Sequence, residues 1–124
     1  MKKTDILAVN PGSTSTKVGV YRCEEGGVLT ELFVENISHS PNRMQEFESL
    51  GAQLPYRKEM IERVLQEKEY DMEQLRAVVG RGGMLAGLKS GGYQMSPEFI
   101  RDMMSLQNTQ HASNLGAPLA WELA

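Results

Sequence analysis

The sequence of 124 residues contains a single cysteine, Cys23. An internal disulfide and a zinc site built on paired thiols are therefore excluded, and a reducing compartment suits the chain best. Excess charge of one sign is also lacking: thirteen Lys and Arg stand against sixteen Asp and Glu, a net charge of −3, with the signs interleaved. No basic stripe is available to neutralise a row of phosphates, which argues against nucleic-acid binding. Nor does any apolar run approach the roughly 18 residues of a membrane span, and the polar start Met1-Lys2-Lys3-Thr4-Asp5 leads into a strand-like segment rather than a signal-peptide core. The expected location is cytoplasmic, without membrane attachment. Internal repeats and low-complexity tracts are absent as well. What is present, 40% hydrophobic and 23% charged residues, is the composition of one globular domain, long enough to remove roughly two-thirds of its unfolded surface from water.

Ile6-Leu7-Ala8-Val9 is a short apolar run, and Thr16 to Tyr21 alternates polar with apolar or small residues. Joined by the polar Asn10–Ser15, they predict two antiparallel strands. After the turn Glu24-Glu25-Gly26-Gly27, the β-favouring Leu32-Phe33-Val34 within Val28 to Ile37 predicts a third strand and a β-meander. Ser38 to Tyr56, with Pro41, Gly51 and Pro55, shows no period and reads as loop with one helical turn. Within Arg57 to Lys68, Met60, Ile61, Val64 and Leu65 recur at helical spacing, and Arg63 stands four residues from both Glu59 and Glu67, which predicts an amphipathic helix. Leu75 to Val79 reads as a strand added to the meander, ended by Gly80-Arg81-Gly82-Gly83. Gly91 to Met95 reads as a short extended piece. Ser96-Pro97-Glu98 supplies an N-cap residue, a proline at the first helical position and a first-turn acid, so a second helix is expected from about Pro97 to Leu106. A third enters at Leu115, Leu119, Trp121 and Leu123 and meets the end of the chain without a stop signal. The sequence therefore reads as the first domain of something longer.

Asn10-Pro11-Gly12-Ser13-Thr14-Ser15-Thr16-Lys17 concentrates four hydroxyls, an amide side chain, a glycine and a lysine at the tip of the predicted hairpin. Hydroxyls, backbone N–H groups opened by a tight turn and one ammonium can surround phosphate oxygens, and Gly12 allows close backbone approach. The Walker A pattern is absent, because Thr16 stands where that motif needs a glycine before the lysine. Asn, Pro, Gly and Ser also serve as ordinary hairpin residues, so composition leaves both readings open.

Three segments carry a resemblance. Asn10 to Lys17 after an apolar strand, Ala77-Val78-Val79-Gly80-Arg81-Gly82-Gly83, and His111-Ala112-Ser113-Asn114-Leu115-Gly116 stand in the order seen in butyrate kinases, within the acetate kinase group of the actin-like ATPase superfamily. The resemblance implies an α/β fold, an actin-like ATPase or ribonuclease H-like domain with a β-meander followed by alternating helices and strands, cut short at its C-terminal side. Residues 1–124 would be the N-terminal lobe of a two-domain carboxylate kinase whose second lobe lies in later sequence. The implied activity moves the γ-phosphoryl group of ATP onto a short-chain carboxylate. ATP and Mg2+ are the implied cofactors, the metal held mainly by the second lobe, and the parent protein is implied to be a homo-oligomer. Position by position, Asn10, Gly12, Ser13, Ser15 and Lys17 match the loop that faces the nucleotide phosphates. Arg81 falls where acetate kinases place a basic residue near the acyl acceptor, with different local spacing. His111 and Asn114 match a His-Asn junction at the family's active site, here one residue shorter.

Acetate, propionate and branched-chain acids are alternative acceptors, and a non-catalytic phosphate-binding or assembly domain is the alternative outside enzymology. A sugar kinase of the same superfamily would usually begin with Asp where Asn10 stands. Other candidates carry less chemistry: His39 reads as a surface histidine, Cys23 as incidental, the eight methionines as core filling, and Asp71 with Glu73 as a solvated pair. No metal-ligating set is apparent.

Overall fold

The computed structural model describes residues 3–49, 51–81, 92–103 and 115–124. Strands β1 (Asp5–Pro11), β2 (Ser15–Cys23) and β3 (Leu29–Ser38) form the expected meander. A short helix α1 (Pro41–Gln45) and the long α2 (Leu54–Glu67) follow, then β4 (Leu75–Gly80), α3 (Pro97–Met103) and α4 (Gly116–Leu123). Residues 92–96 belong to no strand, so the extended piece expected there forms no ladder among the described residues.

The sheet runs in the order β3-β2-β1-β4. β1 pairs antiparallel with β2, Asn10 opposite Lys17, and parallel with β4, Val9 opposite Gly80. A parallel partner requires a crossover, and α2 supplies it. The resulting α/β arrangement with its mixed sheet is compatible with an actin-like ATPase or ribonuclease H-like domain.

β1 buries every second residue: Asp5, Leu7, Val9 and Pro11 are buried and Ile6, Ala8 and Asn10 are half-buried. This period-two pattern gives the sheet one helix-covered face. Leu7, Val9, Val18 and Val20 meet Ile61 and Leu65 of α2 and Leu115, Leu119 and Leu123 at α4 in one core. Each such side chain contributes about 1.5–3 kcal/mol when fully buried. On the opposite face Tyr21 folds over Gly19, where an added Cβ would stand 2.9 Å from its ring.

α2 ends in a Schellman turn. The Glu69 N–H donates to the Gln66 carbonyl and the Tyr70 N–H to that of Leu65, both at 2.9 Å. Glu69 takes the left-handed conformation, φ 52°, where glycine is the usual occupant. The turn delivers Tyr70 to the start of β1. There the Asp5 carboxylate, fully buried, accepts from Arg22 Nε at 2.9 Å and Nη2 at 3.1 Å, from Tyr70 Oη at 2.6 Å and from Thr4 Oγ1 at 2.9 Å. The Arg22 hydrogen bonds, reinforced by those of Tyr70 and Thr4, outweigh burial and hold Asp5 at a pKa of about 2. Burial and the neighbouring carboxylate push the Tyr70 phenol above its ordinary value. This bracket fastens β1, β2 and the β4 approach at the end of the sheet away from the hydroxyl-rich loop. No helix among the described residues is long and apolar enough to cross a membrane.

Candidate active site

The loop predicted from composition is the β1–β2 connection. Asn10 and Pro11 close β1, Ser15 to Lys17 open β2, and Gly12, Ser13 and Thr14 form the tip. Ser13, Thr14 and Lys17 are exposed, whereas Asn10, Gly12 and Ser15 are half-buried. As cross-strand partners, Asn10 and Lys17 share a sheet face, the one opposite the helices. Gly12 closes the turn of this loop. Its N–H donates to the Ser15 carbonyl at 2.7 Å, closing the turn, and an added Cβ would meet Ser15 Oγ at 3.1 Å. It permits the turn rather than offering its own N–H outward.

Three consecutive loop carbonyls are anchored. The Ser13 carbonyl accepts from Arg57 Nη2 at 3.3 Å, that of Thr14 from the His39 N–H at 2.8 Å, and that of Ser15 from Gly12 and from Arg57 Nη1 at 3.0 Å. A trans peptide sets each carbonyl opposite the next residue's N–H, so the Thr14 amide points away from Arg57, whereas the Ser15 amide, opposite the His39 contact, turns inward toward Gly12. Ser13 and Thr14, with their hydroxyls, are exposed at this tip.

Sequence reasoning missed the groups that hold this shape. Arg57 is completely buried, as are Gln53 and His39 to 6% and 3% exposure. The expectation of a surface histidine at 39 is corrected by this burial: His39 Nε2 lies 2.8 Å from Thr16 Oγ1, and its ring meets Tyr56 edge-on at 5.4 Å. Burial, aided by the Arg57 charge, lowers its pKa, which favours the neutral imidazole. A signal for Arg57 did exist, because it precedes Ile61 and Leu65 at four-residue spacing and so shares their inward helix face.

The second predicted segment arrives at the same place. The Arg81 N–H donates to the Val9 carbonyl at 2.8 Å, which sets Arg81 beside Asn10 at the loop end of the sheet. The third segment arrives through α4. A Cβ on Gly80 would collide with the Gly116 carbonyl, and one on Gly116 with the Arg81 carbonyl, so backbone touches backbone there without side chains between. Leu115 is fully buried in the core. His111 and Asn114 themselves, like Gly82 and Gly83, lie outside the described residues.

Asn10 to Lys17 thus gathers an amide side chain, four hydroxyls and one ammonium at one end of the sheet. For a divalent cation the fit is poor: the described residues contain no group of three or more His, Cys, Asp or Glu that could hold one.

The fold is that of an α/β domain compatible with the actin-like ATPase or ribonuclease H-like class, with a hydroxyl-rich turn at the end of its first strand. No protein-family model matches the chain. Its sequence is 39% identical over 120 residues to a protein of Listeria monocytogenes described as a probable butyrate kinase, covering 97% of this chain and 32% of that protein. Similarly described proteins of Clostridium botulinum and Listeria welshimeri are 41% identical over 115 residues and 38% over 120, covering 93% and 97% of this chain and 31% and 32% of their own lengths. The resemblance to butyrate kinases is thereby established along nearly the whole chain, which spans about a third of the length of these curated relatives.

Proposed function

We propose that the chain is the phosphate-binding N-terminal lobe of a carboxylate kinase acting on butyrate or a related short-chain acid. What supports this reading most is convergence: among the described residues the Asn10–Lys17 loop, Gly80-Arg81 and Leu115-Gly116, far apart in the chain, come to one end of one sheet. The relatives' descriptions as butyrate kinases agree with it.

A carboxylic acid with an ordinary pKa of about 4 is already ionised at neutral pH, so the nucleophile needs no strong base. A carboxylate oxygen forms a bond to the γ-phosphorus of ATP as the bond from that phosphorus to the β,γ-bridging oxygen breaks, giving acyl phosphate and ADP. The reverse reaction makes ATP. The protein's work is placement and charge neutralisation. On this proposal Ser13, Ser15 and the Thr14 amide orient phosphate oxygens, while Asn10 and Lys17 address them from the sheet face opposite α2 and α4. Arg81, His111 and Asn114 address the acceptor and the group in transfer. Mg2+ bound with ATP would neutralise phosphate charge, held by residues outside those described here.

Acyl-phosphate trapping with ATP, Mg2+ and a panel of acetate, propionate, butyrate and isobutyrate tests the reading. We expect activity in a protein spanning the relatives' full length, strongest on four-carbon acids, and little from residues 1–124 alone. In the longer protein Ser13→Ala should lower kcat by about 100-fold, the scale of losing one oriented donor. Full turnover in that variant refutes the assignment of Ser13, and no acyl phosphate from either protein refutes the kinase reading.

A further inference from the structure

The Arg57 guanidinium is fully buried, yet none of its partners is anionic. Nε and Nη2 donate to Gln53 Oε1 at 3.0 and 2.8 Å, Nη1 to the Ser15 carbonyl at 3.0 Å and Thr16 Oγ1 at 3.1 Å, and Nη2 to the Ser13 carbonyl at 3.3 Å, with Met44 Sδ at 4.0 Å. Among the described residues no carboxylate forms an ion pair with it. Removing a guanidinium from water without a counter-charge is costly, and burial lowers its pKa, although an arginine remains protonated at neutral pH. A stability role alone would be met more cheaply by an apolar side chain. The same charge lies directly behind the carbonyls of the loop whose tip residues, Ser13 and Thr14, are exposed.

We propose that Arg57 is a positioning residue for the Gly12–Thr16 loop, fixing its carbonyls inward and supplying from the core side the positive charge that a phosphate group on the loop meets. This rests on the reading of that loop as a phosphate site. The two contributions are physically distinct. The planar fork reaches two carbonyls and a hydroxyl at once, which a lysine ammonium cannot reproduce. The charge acts through the loop itself, where a low dielectric keeps it from being screened. Gln53 keeps the cation unneutralised while satisfying two of its donors, and Thr16, shared with His39, ties the same cluster to β3.

The test is a titration of the isotopically labelled chain with inorganic pyrophosphate, following the Thr14 and Ser15 amide resonances, alongside thermal unfolding. Wild type should show saturable shifts at those amides. Arg57→Lys should weaken binding by about tenfold or more, since the fork is lost although the charge remains. Gln53→Glu separates function from scaffolding, because a carboxylate there gives Arg57 an ion-pair partner. It should leave the melting temperature unchanged or raised, yet weaken pyrophosphate binding by about threefold or more. Should Arg57→Lys fail to fold, Gln53→Glu decides alone. Wild-type shifts with unchanged affinity in a folded Gln53→Glu variant overturn the proposal and leave the loop reading standing. No shifts in wild type overturn both.

Discussion

Replacing Asp5 by asparagine isolates the electrostatic part of the bracket at the start of β1. Asp5 titrates at about 2 in the folded protein against an ordinary 3.8, and each unit of difference is worth about 1.36 kcal/mol. The ionised carboxylate therefore contributes about 2.4 kcal/mol at neutral pH. Because the folded pKa is depressed, this stabilisation is complete above about pH 5 and disappears as pH falls through 2. At pH 3 linkage leaves about 1.3 kcal/mol. Asparagine keeps the shape and one acceptor but not the charge. Urea unfolding of both proteins at pH 7, 5, 4 and 3 should show a gap of about 2 kcal/mol that narrows by half at the lowest pH. A gap below about 0.5 kcal/mol at pH 7, or one that does not change with pH, refutes the electrostatic account of the bracket and leaves only hydrogen-bond geometry.

Two further substitutions probe the backbone. Gly80→Ala places a methyl group against the Gly116 carbonyl and 2.8 Å from the Ala117 amide nitrogen, and neither is a side chain that can rotate aside. We expect a loss of about 1–3 kcal/mol by chemical denaturation, with the largest amide shifts in α4 and at Arg81; an unchanged midpoint refutes the close packing. Glu69→Gly should raise stability by about 0.5 kcal/mol, because relief of the left-handed strain outweighs glycine's extra freedom in the unfolded chain. A lower midpoint in that variant refutes the strain.

The meander was legible because local patterns govern it: Ile6 to Val9 is an apolar run, Thr16 to Tyr21 alternates polar with apolar or small residues, and Asn10 to Ser15 marks the turn. α2 was legible from Ile61 and Leu65, and α4 from Leu119 and Leu123. The loop's hydroxyls could be picked out as residue types, whereas no local pattern says that Gly80-Arg81 and Gly116 touch. What could not be read was the support of the loop. His39, Gln53 and Arg57 lie in or beside a stretch with no period, and their burial depends on β3, α2 and the hairpin closing around them together. A polar side chain carries no sign in sequence of being inward unless, like Arg57, it falls in step with apolar neighbours.

The parallel pairing of β1 with β4 also orders events in time. β1 can zip to β2 as soon as both exist, since only a short turn separates them. Its other edge waits until Leu75–Gly80 has been made and α2 has carried it back across the sheet. Closing so distant a pair before any contact rewards it is the slow kind of step in folding. During that interval the strand leading into the loop presents bare amides and carbonyls to any passing chain.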